Sequence, residues 1–389
     1  MTVPTLYEQV GLMIAVSEPL AMGTRSLFEY RKEYVEYTHE ILANGGYNSC
    51  QITVLVHLSD LESWYEQGLG RDIVVYNDNE QVSWAGFVNN ITINVGGLSE
   101  TRGPLLDIGN RVSVIYARLN TDVWPPVVGT TQPTPIAEDA ESQRKYGIIE
   151  KVLSGGTVDD TTAEQIRDTY LHDNKEPEAS GPLSLVPGGT LQATITLDCL
   201  GYFYWLSAYV YNLVATGSEY VSTKIEEIMT ADPNGFFSID YTYIDDNLFL
   251  TADGITGNRF ASDLILALTT IGDVNDDRYI FGIYDERKAH YNAIPSTNLY
   301  EHRLSDTAQR VYDSQRAIVR PWDIRAGEWI FVSDFLVGRV SEGTDIREDP
   351  RMKFLETVAY TAPYGLDLSG GKTDRISQLL AKLGTGGMA

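Results

Sequence analysis

Two short stretches come close to ligand-binding loops and miss on spacing. Leu368-Ser369-Gly370-Gly371-Lys372-Thr373 ends like a phosphate-binding loop. That loop needs a Gly, four residues, then Gly-Lys-Ser/Thr, because successive backbone amides must wrap the phosphate. Here the first Gly would stand at 366, which is Leu, and Gly365 is one residue too far, so a Gly-rich turn is expected instead. Asp273-Val274-Asn275-Asp276-Asp277 opens like a calcium loop, with side-chain oxygens at positions 1, 3 and 5. Position 6 is Arg278 where the sharp turn needs Gly, and position 12 is Tyr284 where a bidentate Glu belongs. An acidic turn between a helix and a strand over 279–284 is the expectation there.

The remaining chemistry-bearing residues form no recognisable set. His39, His57, His172, His290 and His302 are scattered, with no HExxH and none close to Cys50 or Cys199, so a zinc site is not expected. No GxSxG elbow marks a nucleophile. Asp159-Asp160 and Asp245-Asp246 are adjacent pairs, which in a strand would face opposite ways; solvated loops are the expected setting. No catalytic, cofactor-binding or metal-binding residue is therefore assigned, and the chain is expected to be no enzyme and to hold no cofactor.

The elements behind these residues read as mostly β. Leu191 to Cys199 alternates apolar and polar residues, which makes a strand with one buried face and puts Ile195 and Leu197 in the core. Phe87, Ile91, Ile93 and Val95 define a second strand face, opposite Asn90, Thr92 and Asn94. Val112, Val114 and Tyr116 mark a third, and Met352, Phe354, Val358 and Tyr360 a fourth, interrupted by Glu356. Capping boxes predict helices at Ser59–Glu62, closed by Gly68, and at Thr161–Glu164; Ser262 is a candidate cap for a helix closed by Gly272, and 224–230 is a further short helix. Loop-rich stretches over 121–137, with Pro125, Pro126, Pro133 and Pro135, and over 174–189 bracket a small, partly helical insertion at 138–173.

Composition bounds the function classes. The chain has 389 residues with 43% hydrophobic and 21% charged residues, an ordinary globular balance that can bury a large core. Its net charge of −25 repels phosphate backbones and anionic lipid alike. The 24 tyrosines suit half-buried strands and contact surfaces. Cys50 and Cys199 are too few for a disulfide framework, and the sequence leaves their pairing open. The N-terminal stretch lacks a basic segment before its apolar residues, so no secretory signal is expected. Residues 199–218 carry no charge, yet Tyr202, Tyr204, Tyr209, Tyr211 and Asn212 make a buried strand running into a core element the better reading than a membrane anchor.

Three stretches carry a family likeness. Residues 50–95 run strand, capped helix, Gly turn, strand, strand, with Trp84-Ala85-Gly86-Phe87-Val88 on the returning strand. Residues 221–293 run short helix, second helix, then the aromatic hairpin YIFGIYDERKAHY, and residues 322–368 form a closing β segment. Taken in this order the segments resemble the hub proteins of bacteriophage tails, baseplate hub and tail-tip proteins included. The resemblance implies a β-rich α+β fold of two tail-tube-like β-barrel or sandwich domains with small α/β insertions. The corresponding domains are 1–120 with 186–220, a loop-rich insertion at 121–185, an α/β segment at 221–300, a second tube-like domain at 301–368, and a tail at 369–389.

It further implies a structural virion protein at the tail tip, made in the host cytoplasm. The chain would form a ring that joins tube to tip, as a homotrimer first and a homohexamer second. Its neighbours would be the tail tube or distal tail protein, the tape measure protein and tail fibre or tip proteins. During DNA ejection the genome would pass without specific binding. A basic wall would hold DNA, so part of the acidic surplus is expected to line the channel, with solubility of the subunit as the alternative reason for it. A distal tail adaptor ring, a glycan- or receptor-binding tip protein and a cell-wall hydrolase are the rival readings.

Overall fold

The computed structural model describes residues 12–19, 27–31, 36–56, 58–77, 79–95, 98–121, 123–179, 193–213, 220–240, 243–247, 249, 257–273, 275, 277–296, 298–305, 308–333, 352–362 and 365–369. The fold is β-rich α+β. Its centre is the strand Ala193–Gly201, where Ala193, Ile195, Leu197 and Cys199 are buried and the residues between them are half-buried. Ile195 is 0% and Leu197 2% exposed, as the alternation predicted. This strand pairs antiparallel with Val82–Val95 on one side and Gly45–Val56 on the other. Its polar face carries cross-strand bonds: the Thr53 and Thr196 hydroxyls lie 3.0 Å apart, and Gln51 donates to Asp198 at 2.7 Å.

Outward from the centre the sheet runs, on one side, through Val82–Val95, Arg71–Tyr76 and Met13–Pro19 to Leu27–Arg31. On the other it runs through Gly45–Val56, Glu36–Leu42 and Thr357–Ala362 to Gly365–Ser369. With Leu98–Arg102 and the hairpin of Tyr279–Ile283 and Ala289–Ala293 it counts twelve strands. Its two end strands do not pair with each other, so this sheet is open; the expected barrel is not formed by the described strands. A second, five-stranded sheet holds Asn298–Ser305, Ala308–Tyr312, Ile318–Val319, Trp329–Ser333 and Met352–Phe354. A third is a small α/β unit, in which Arg111–Asn120 pairs in parallel with Glu150–Val158 and antiparallel with Val127–Pro133 and Ala137–Glu138. Helices Ala140–Tyr146 and Asp160–Asn174 complete this unit.

Several expectations are corrected by this topology. Arg111–Asn120 pairs within the four-stranded sheet of the α/β unit and not within the large sheet. The Met352–Tyr360 pattern is two strands, Met352–Phe354 in the five-stranded sheet and Thr357–Ala362 in the large one, divided at Glu356. Alternation reveals which way side chains point, but not which strand lies alongside. The stretch 121–137, expected as loop, holds the strand Val127–Pro133. Pro133 sits at its end, where a missing N–H does least harm.

Phe87 also departs from its expected face. Cys199 pairs with Val88 and Leu197 with Ile91, while Phe87 pairs with Leu200, because the register shifts between Asp198 and Cys199. That one-residue bulge turns Phe87 away from Ile91. It packs on Trp205 instead, with ring centroids 4.9 Å apart.

Three caps move as well. Asp159, not Thr161, caps its helix by accepting from the Thr162 amide at 2.7 Å. Ser262 lies inside the helix Ala261–Ile271, whose cap position is Phe260. The helix Leu58–Gln67 starts before Ser59, whose side chain lies outside the described residues. The uncharged run 199–218 is the end of the central strand, a 3-10 turn Tyr202–Ser207 and the strand Val210–Leu213, with 214–218 outside the described residues. No helix among the described residues is long and apolar enough to cross a membrane.

Candidate functional site

A cleft of about 980 Å³ opens where the large sheet, the 279–293 hairpin and the 321–328 turn meet. Strand Arg71–Tyr76 contributes Asp72, Val74 and Tyr76, which share one face because strand side chains alternate. The hairpin contributes Tyr284, Lys288 and His290, and the turn contributes Trp322, Asp323, Arg325 and Glu328. The hairpin is brought in by parallel pairing of Gly282 with Gly45 and Ile283 with Gly46. Gly46 has φ +79°, and a Cβ there would sit 2.6 Å from the Ile283 carbonyl oxygen, so only Gly lets the two backbones approach this closely.

Polar bonds fix the walls. Asn77 donates to Asp323 at 2.8 Å while its own side-chain oxygen accepts from the amides of Asn79 and Gln81, each at 2.9 Å. That arrangement closes the turn between Arg71–Tyr76 and Val82–Val95 and ties it to the 321–328 turn. The Tyr300 hydroxyl accepts from the Arg325 amide at 3.1 Å. Deep in the cleft the Tyr202 hydroxyl donates to the Asp72 carboxylate. At the rim Tyr243 stacks on His290 with centroids 4.3 Å apart, and Lys288 lies 5.6 Å from the Tyr243 ring and 2.7 Å from Glu286.

The electrostatics of the site follow from burial. Loss of solvent raises the Glu328 carboxyl to about 7, against the opposing pull of the Arg325 guanidinium. Burial, helped by Arg325 and Lys288, lowers His290 to about 4, so this ring is neutral at pH 7. The Tyr284 hydroxyl is pushed up to about 12 by burial. Chemically, the cleft offers aromatic edges and faces, carboxylates and two cationic heads. Such a set can hydrogen-bond and stack on a polyhydroxylated ligand.

The residues singled out from sequence go elsewhere. Cys50 and Cys199 are register partners on neighbouring strands and are free, buried thiols, both raised by burial. The Asp273 carboxylate accepts from the amides of Asn275 and Asp277 at 2.8 and 2.9 Å, the arrangement of an acidic turn. Asp160 accepts from Tyr116 at 2.7 Å and pairs with Arg118 at 2.8 Å, and Asp245 accepts from the Ala293 amide at 3.0 Å. His39 lies in a buried aromatic cluster, its Nδ1 2.7 Å from the Tyr37 hydroxyl and its ring beside Tyr360. Burial lowers it to about 3. His172 lies on the exposed side of helix Asp160–Asn174. His57, the His302 side chain and Gly370–Thr373 of the phosphate-loop candidate lie outside the described residues. Among the described histidine side chains only His290 lines the cleft. Sequence reasoning missed the cleft because its lining comes from positions 41 to 328.

No protein-family model and no curated protein matches the sequence. Among solved structures the chain is similar to the 43 kDa tail protein of prophage MuSo2 from Shewanella oneidensis, at 6% identity and a TM-score of 0.42, covering 94% of this chain and 98% of that one. It is also similar to a tail protein from Neisseria meningitidis MC58, at 7% identity and a TM-score of 0.38, covering 90% and 92%.

Proposed function

We propose that this chain is a structural protein of a phage tail that works by assembling in several copies as a ring-shaped hub at the tail tip. The observation that carries the reading is the folding of residues 45–95. The segment forms a strand, a flanking helix and two further strands, all three strands in one sheet, in the order on which the sequence likeness rests. At its heart Gly86 of the Trp84–Val88 phrase lies against the Leu200 backbone, where any side chain would collide.

In this reading the chain is a trimer first and a hexamer second, joined to the tail tube or distal tail protein, the tape measure protein and the tip fibres. It catalyses no reaction, holds no cofactor and lets DNA pass along an acidic channel wall. A distal adaptor ring is the neighbouring alternative. Light scattering on the purified chain is expected to give the mass of three or six copies. A monomer at high concentration, with tube protein present, contradicts the ring.

A second reading is favoured by the cleft itself, whose aromatic and carboxylate lining suits a surface glycan. Titration with host polysaccharide decides it: heat of binding that Tyr243→Ala abolishes supports a receptor-binding role, and no heat removes it.

A further inference from the structure

The strand Val127–Pro133 is bonded on one edge only. It pairs with Arg111–Asn120, from Ile115 opposite Pro133 to Asn120 opposite Val127, and among the described residues nothing pairs its outer edge. Around it lies the most conspicuous apolar surface of the described chain. Trp124 is 92% exposed, Val128 58%, Val127 55% and Ile136 53%, with Val123 exposed beside them. The base of this hairpin is pinned. Gln132 donates to the Tyr116 hydroxyl at 2.8 Å, Tyr116 donates to Asp160 at 2.7 Å, and Thr134 exchanges backbone and side-chain bonds with Val114. The hairpin is therefore a positioned element that presents a free backbone edge and an apolar tip.

Its charge is as informative as its shape. Residues 123–137 contain no Asp, Glu, Lys or Arg, in a chain that is 21% charged and carries −25 overall. A nucleic-acid partner would call for a basic surface, and a basic protein would be met by the acidic surface found elsewhere. A neutral apolar patch on an acidic body is what contact with another acidic body requires, because like charges brought face to face are strongly disfavoured. The acidic body known to be present wherever this chain is present is a second copy of it.

We infer that the 111–137 hairpin is a self-association element, its Trp124 tip and Val127–Pro133 edge seating on a second copy of this chain. The contact is head-to-tail, because an edge strand and an apolar tip meet a different surface of the neighbour; such a contact builds a ring where its rotation closes and a filament where it does not, and the ring reading takes the first case. The inference rests on the ring reading above and deepens it by naming the surface.

Sedimentation velocity of the full chain tests it, comparing wild type with Val128→Glu. The expected result is an oligomer in the wild type and, in the variant, a self-association Kd raised by at least about tenfold, since the new carboxylate faces an acidic neighbour. At dilutions where both proteins are monomeric, their circular-dichroism melting curves should coincide. A second variant, Trp124→Cys carrying a benzophenone label, is expected to give chain-to-chain adducts on illumination; Cys50 and Cys199 are buried and do not compete for the label. An oligomer that Val128→Glu leaves intact, with no adduct from position 124, overturns the inference and leaves the ring standing. A wild type that is monomeric at every concentration overturns both. Flotation with phosphatidylcholine vesicles that the variant abolishes, without a change in sedimentation, gives the tip to lipid and overturns the inference.

Discussion

Two strands of similar length show opposite relations between sequence and surroundings. Ala193–Gly201 is paired on both edges and buries every second residue, and its sequence alternates to match. Val127–Pro133 is paired on one edge, and all its residues but Gln132 are exposed. Its valines are adjacent rather than alternate, so no side of the strand is marked as inside. The core of the molecule imposes a period on the first strand and imposes nothing on the second. What the second keeps is freedom from charge, although nothing in the described core packs on it.

The sharpest way to break this comparison is to shorten a side chain in each strand. Ile195→Ala should destabilise the chain by roughly 2–5 kcal/mol, through lost transfer energy and the cavity left behind. Denaturant unfolding of the isolated protein reads the effect directly. A shift near zero would mean that the central strand is not packed as described.

Next in size are the pH effects of two buried groups, which run in opposite directions. His39 sits at about 3 when folded against an ordinary 6.5, so the unfolded chain binds a proton that the folded chain refuses. Stability therefore falls as pH drops from 6.5 towards 3. His39→Phe should flatten that limb, recovering roughly 2–4 kcal/mol near pH 4 relative to its value at pH 7. A pH series of melting curves with the same acid slope in both proteins would contradict it.

Glu328 is the reverse case, held at about 7 when folded against an ordinary 4.5. The folded chain keeps the proton longer, so the stability linked to this group is complete below 4.5 and is lost as pH rises through 7. Glu328→Gln should therefore stabilise the chain at pH 8 by about 1–3 kcal/mol and change little at pH 4. Equal effects at both pH values would show that Glu328 is not held protonated by the cleft.

How much of this was legible in the sequence follows from the same contrast. The Leu191–Cys199 alternation located a central strand and its core residues Ile195 and Leu197 because one buried face writes a period of two. The hairpin 279–293 was legible for a related reason, its aromatic residues recurring on two short runs. The face of Phe87 was not, because a bulge at the Asp198–Cys199 register shift reverses parity without changing composition. The split of Met352–Tyr360 between two sheets was not, since partners are set by folding over long range. The cleft was illegible for that reason too: Asp72 lies more than two hundred residues before His290 and Glu328, and the three meet only in space. The uncharged stretch 123–137 was visible as a Pro-rich loop, and only the backbone revealed the open strand edge inside it.

The smallest expected effect completes the comparison. Val128→Thr should change the stability of the isolated chain by less than about 0.5 kcal/mol, as an exposed substitution with nothing packed on it. A thermal-melt difference of the size expected for Ile195→Ala would mean that the hairpin is part of the core after all.

The central claim, that this chain works by assembling into a ring, is tested most directly by negative-stain imaging of the purified protein. The account predicts class averages of closed rings with threefold or sixfold symmetry around an open channel. Fields of single-chain particles only, at high concentration and with tube protein added, would contradict it.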